Sequence, residues 1–86
     1  MTGLSGKRWF FFVWDEDNEE HLGRHGIRER EAEEIFFNSY VITPNNKKHG
    51  PKRYRIEGKT NAGRKLRIIF EDLGSSMARI ITGWDI

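Results

Sequence analysis

From Lys65 to Glu71 the chain alternates: Leu66, Ile68 and Phe70 fall on one side, and Lys65, Arg67, Ile69 and Glu71 on the other. A period of two marks a strand with one apolar and one charged face. Two neighbouring stretches repeat the pattern. In Lys52–Lys59, Tyr54, Ile56 and Gly58 oppose Arg53, Arg55, Glu57 and Lys59. In Met77–Trp84, Ala78, Ile80 and Thr82 oppose Arg79 and Ile81. Thr60–Arg64 is a five-residue hairpin loop containing a glycine, and Asp72–Ser76 is a second turn. Tyr40–Thr43 reads as one further short strand, followed by the breaker-rich polar loop Pro44–Pro51.

The N-terminal half has a different rhythm. Trp9–Trp14 is aromatic and stops at Asp15-Glu16-Asp17, as a buried first strand would. Asp15 suits a helix N-cap, with acidic side chains following on the first turn where the helix dipole favours them. This helix is expected to run to about His25, with Gly26 as its C-cap glycine. A second helix, Arg28–Phe37, places Ala32, Ile35 and Phe36 on one face. The order β-α-α-β-β-β-β predicts an α+β fold, with two helices packed on one face of an antiparallel sheet. Its 86 residues make one domain, expected over residues 9–86 behind a loose leader of residues 1–8. With no cysteine, disulfides, thiolate catalysis and cysteine–zinc sites are excluded, in keeping with a cytoplasmic protein. The apolar run ahead of Asp15 is too short for a membrane span or an export signal.

Charge is divided unevenly. Residues 1–43 hold five Lys/Arg against nine Asp/Glu, whereas residues 44–86 hold ten against four. If the apolar strand faces pack on the helices, the other face gathers Arg53, Arg55, Lys59, Lys65, Arg67 and Arg79, with only Glu57 and Glu71 to relieve them. A charged strand face is commonly just the solvated one. An excess this lopsided opposes folding, however, and fits a phosphate-binding surface equally well. The acidic first helix is expected on the opposite side, leaving those cations unneutralised.

A phosphate-binding face becomes a reactive one only where a proton donor or acceptor stands beside its cations. His25 stands at a helix end, where capping the last carbonyls competes with an acid–base role. His49 falls in the polar loop. Glu57 and Glu71 are candidate bases, although arginine partners would favour their charged form. His21 and His25 have the i, i+4 spacing of a metal pair, but two ligands without a third do not make a site. Trp84 and Phe37 are candidates for stacking on bases or for the core. Glycine-rich phosphate loops, serine elbows and carboxylate pairs are absent from the sequence.

Trp14-Asp15, then Leu22-x-x-His25-Gly26-Ile27, then Glu31-Ala32-x-x-Ile35-Phe36 resembles the N-terminal half of BrnT-type toxins. Arg53, Gly58-x-Thr60-x-x-Gly63-Arg64-x-Leu66 and Arg79-Ile80-Ile81-Thr82 resemble their second half. The resemblance implies a fold similar to RelE toxins and a metal-independent ribonuclease without cofactors. It also implies a co-expressed antitoxin carrying a ribbon-helix-helix DNA-binding part, through which the protein would oligomerise. On this basis His25, Arg64 and Arg79 are the expected catalytic residues, and Arg53, Arg55, Lys59, Lys65 and Arg67 the expected RNA contacts. His21 and Arg24 replace the usual Asn and Lys. The sequence ends at Ile86, where the family continues into a C-terminal helix, so contacts supplied by that helix are expected to be missing. A non-catalytic module that binds an antitoxin or RNA without cleavage is the alternative.

Overall fold

The computed structural model describes residues 7–44 and 52–86. Strand β1 is Phe11–Val13, helix α1 Glu16–Arg24 and helix α2 Glu29–Glu34, the last continued by a 3-10 turn at Ile35–Phe37. Strands β2 (Tyr40–Pro44), β3 (Arg53–Lys59), β4 (Lys65–Gly74) and β5 (Met77–Asp85) follow. The sheet order is β1-β5-β4-β3-β2. The predicted α+β fold is therefore present. The pairs β2–β3, β3–β4 and β4–β5 are antiparallel, and β1 adds a parallel edge beside β5. Because β1 and β2 occupy opposite edges, the two helices joining them must cross the sheet, and they cover one face of it.

Local sequence explains the helix ends. The Asp15 Oδ1 accepts from the Asn18 N–H at 3.0 Å, and Asn18 Oδ1 accepts from the Asp15 N–H at 2.6 Å, a reciprocal capping box. At the other end Gly26 takes φ +67°, its N–H donating to Gly23 O while that of Ile27 donates to Leu22 O, each at 3.0 Å. That is a Schellman motif, and its characteristic apolar contact is supplied by Leu22 and Ile27, both buried.

The core joins Trp9, Leu22, Ile27, Ala32, Ile35 and Phe36 from the helical half to Ile56, Leu66, Ile68, Phe70, Ala78 and Ile80 from the sheet. Lys7 and Arg8, expected in the leader, belong with this domain: Lys7 pairs with Asp72, and Arg8 donates to the Tyr40 hydroxyl at 3.0 Å. His49 and the rest of the segment 45–51 lie outside the described residues, as do residues 1–6.

Two departures from the expected strands have local causes. Strand β4 extends to Gly74 because only Ser75 and Ser76, both at positive φ, turn the chain into β5. Positive φ at both loop positions is the type I′ pattern, whose twist matches a hairpin. A bulge also sets Ile69 opposite Thr82 and Phe70 opposite Ile80, leaving Ile81 without a partner. One extra residue reverses the alternation beyond it. Thr82 thus leaves the apolar side, where simple alternation placed it, and joins Ile69 and Trp84 on the charged face.

Candidate nucleic-acid interface

Strand register decides which cations share the open face. Lys59 lies opposite Lys65, Glu57 opposite Arg67, Arg55 opposite Ile69 and Arg53 opposite Glu71. Across the next interface Arg67 faces Trp84 and Glu71 faces Arg79. All six cations expected there, Arg53, Arg55, Lys59, Lys65, Arg67 and Arg79, therefore project from the side opposite the helices.

Their electrostatic circumstances differ. Glu57 is held by Arg67 Nε, with Arg55 Nε further off at 3.9 Å and turned also to Thr43 Oγ1 at 3.2 Å. Arg79 does not close on Glu71. It reaches around the short β1 to Asp15 Oδ2 at 3.0 Å. The acidic helix is thus not wholly separated from the basic sheet, as the sequence suggested, because α1 begins at the sheet edge beside Arg79. The Asn18 N–H bond and then this guanidinium hold the Asp15 carboxyl below its usual pKa. Arg53 has its Nε buried without a hydrogen-bond partner. Among the described residues, Arg53, Lys59 and Lys65 have no carboxylate within ion-pairing distance.

Arg64, expected among the catalytic residues, is held by several acceptors of the protein itself. Its Nε and Nη2 donate to Asp85, its Nη1 to Gly26 O at 2.9 Å and Glu31 Oε1 at 3.1 Å, and its Nη2 also to His25 O at 3.2 Å. All three guanidinium nitrogens are spent on protein acceptors, the Asp85 and Glu31 carboxylates and two carbonyls at the C-terminal end of α1. The bond to Asp85 and the further one to Glu31 raise the Arg64 pKa above its ordinary value. Arg64 fastens α1, α2 and β5 together.

The same arrangement frees His25. The capping role open to its imidazole is filled by Arg64, and the ring lies exposed with its centroid 6.5 Å from that of Trp84. Of the expected catalytic residues, Arg64 contacts His25 at the last residue of the α1 unit, whereas Arg79 contacts the first, Asp15. Ten steps along the helix separate those ends by about 15 Å. Phe37 is exposed beside Phe10 and Phe12, away from this face, and Tyr54 packs on Phe70 in the core. Sequence reasoning passed over Asp85 as the clamp partner of Arg64, since separation along the chain gave no sign of it.

These features define a small α+β protein whose helices cover one sheet face and whose other face is cationic. No protein-family model matches the sequence, and no curated protein sequence matches it. Among solved structures, the fold is similar to the crystal structure of the Brucella abortus ribonuclease toxin BrnT, with a TM-score of 0.69 and 21% sequence identity. The match covers 90% of this chain and 97% of that one, so nearly all of the solved toxin chain has a counterpart here. The resemblance drawn from the sequence motifs is thereby met at the level of the fold. No helix among the described residues is long and apolar enough to cross a membrane.

Proposed function

We propose that this chain is the ribonuclease toxin of a type II toxin–antitoxin pair and that it binds RNA on its open sheet face. The observation that carries the reading is Lys59 directly opposite Lys65, with Arg53 at the far end of β3, none of them neutralised within the described residues. Like charges facing each other across strands oppose folding, and a bound polyanion reverses that penalty. Arg53, Arg55, Lys59, Lys65 and Arg67 are the proposed phosphate contacts. His25 is the proposed proton-transfer group, reached along the row Glu57–Arg67–Trp84. Cleavage would proceed without a metal: a base takes the 2′-hydroxyl proton, the 2′-oxygen attacks phosphorus, and the 5′-oxygen departs with a proton from an acid. The proposed partner in the cytoplasm is an antitoxin with a ribbon-helix-helix part, an acidic segment of which would mask the basic face and link copies of the toxin.

A second reading, RNA or antitoxin binding without cleavage, is favoured by one observation. Arg64 and Arg79 are both engaged internally, at opposite ends of α1. Expression of the chain alone, with growth and RNA integrity followed together, separates the two. Growth arrest with cleaved RNA, relieved by co-expressing the neighbouring reading frame, is the result expected. RNA binding with neither arrest nor cleavage would establish the second reading.

A further inference from the structure

We propose that the groove between α1 and the free edge of β5 seats one nucleotide of a single-stranded RNA, whose base stacks on Trp84; this rests on the RNA-binding reading above. The groove exists because β1 pairs only with Met77–Arg79. Beyond that point β5 has no strand neighbour on this side, and α1 lies along it instead. Asn18 Nδ2 donates to Ile80 O at 2.5 Å, and His21 Nδ1 lies 3.4 Å from Ile81 O. The cleft left between them has a volume of about 310 Å³ and is lined by His21, Arg24, His25, Ile81 and Thr82. Arg24 is paired with Glu20 at 2.6 Å, so part of its charge is met, while the cleft lining itself contains no acid.

Trp84 does not line this cleft but stands on the cationic face beside His25, which does. The Ile81 bulge turns it outward, opposite Arg67 and beside His25. The other two tryptophans have structural employment: Trp9 is buried with its indole N–H toward Asp72 at 3.3 Å, and Trp14 donates to Glu33 at 2.8 Å. The Trp84 indole N–H has no such partner among the described residues, and its ring stays outside the buried core. A partly buried indole opposite Arg67 in register and beside the His25 imidazole offers a π-face for a base and cations for the adjoining phosphates, the combination used by single-strand binders. An aromatic ring accepts any base, so the seat fixes the strand's position more than its sequence.

The test compares two non-cleavable 2′-O-methyl RNA 12-mers, one complete and one with abasic residues at its centre, binding to the full chain and to Trp84 variants. Trp84→Ala is expected to weaken the complete RNA by about 5- to 150-fold, the range of one missing base stack, and to leave the abasic one unchanged. Trp84→Phe should keep most of the affinity. In the unaltered chain the complete RNA should quench indole fluorescence, the abasic RNA should not, and Trp84→Phe should abolish the quench. That second measurement stands even if Trp84→Ala fails to fold. Quenching that persists in Trp84→Phe, or equal losses on both RNAs, would overturn the stacking seat while leaving the basic-face reading intact. Absence of binding by the unaltered chain would overturn both.

Discussion

Arg64 grips Asp85 through two parallel hydrogen bonds, Nε to Oδ1 at 2.6 Å and Nη2 to Oδ2 at 2.9 Å. Asp85 is half-exposed, so solvent screens the ion pair itself. The His25 and Gly26 carbonyls it also holds are exposed and can turn to water, so what is lost is the set of bonds that ties α1, α2 and β5 together. Arg64→Ala is therefore expected to lower stability by about 1–2 kcal/mol. Arg64→Lys should recover little, because an ammonium cannot span acceptors on three elements. Urea unfolding measures both. A stable Arg64→Ala variant that had lost RNA cleavage alone would restore Arg64 to a catalytic role.

Gly83 sets how closely α1 approaches the sheet. A Cβ there would collide with Ile68 Cδ1 and stand 3.0 Å from both Leu22 Cδ2 and the Arg67 carbonyl. The carbonyl belongs to a central strand and has little freedom, so α1 must lift. Gly83→Ala should cost about 1–3 kcal/mol, the range for overpacking a core. It should also speed amide exchange in α1 more than in β3, which hydrogen exchange would resolve. Uniform exchange in both would mean that the helix is not seated through this contact.

Asp72 ties the first described residues to the sheet. Burial pushes its carboxyl pKa up, but the bonds from Lys7, the Gly74 N–H and Trp9 outweigh burial and hold the pKa below the usual carboxylate value. A carboxyl depressed in the folded state stabilises fully above its unfolded pKa, near 3.9, and loses that contribution as pH falls toward the folded value. Asp72→Asn should accordingly be less stable at pH 7 and show a flatter decline below about pH 5. Urea midpoints at pH 7, 5 and 3.5 would test it. Parallel acid limbs for the two proteins would place the acid sensitivity elsewhere.

What was legible in the sequence followed from periodicity and caps. Leu66, Ile68 and Phe70 fixed the apolar face of β4, and Asp15 and Gly26 fixed both ends of α1, because these signals act over neighbouring residues. The Ile81 bulge was not legible: one unpaired residue leaves no mark on composition, yet it moves Thr82 across the sheet. The parallel β1–β5 pairing was hidden for a related reason, since a three-residue edge strand declares no partner. The cations of the open face could be read from alternation, but their individual fates could not. Arg64 and Arg79 look alike in the sequence to Arg53, and only tertiary structure brings Asp85 to the first and Asp15 to the second.

Lys59 and Lys65 give the basic face its clearest test, because their removal should move stability and binding in opposite directions. Each faces the other across β3 and β4 without a carboxylate partner among the described residues. Replacing either with Gln removes a like-charge repulsion, so stability should stay level or rise by a few tenths of a kcal/mol. If both lysines neutralise phosphate, the double variant should bind single-stranded RNA more weakly. Its plot of log affinity against log salt should flatten by about 0.7 for each phosphate no longer neutralised, or about 1.4 for the pair. Anisotropy titrations across a salt series, beside thermal unfolding, measure the two effects independently. A rise in stability with an unchanged salt slope would mean that the two lysines are merely solvated and that the RNA, if bound, lies elsewhere.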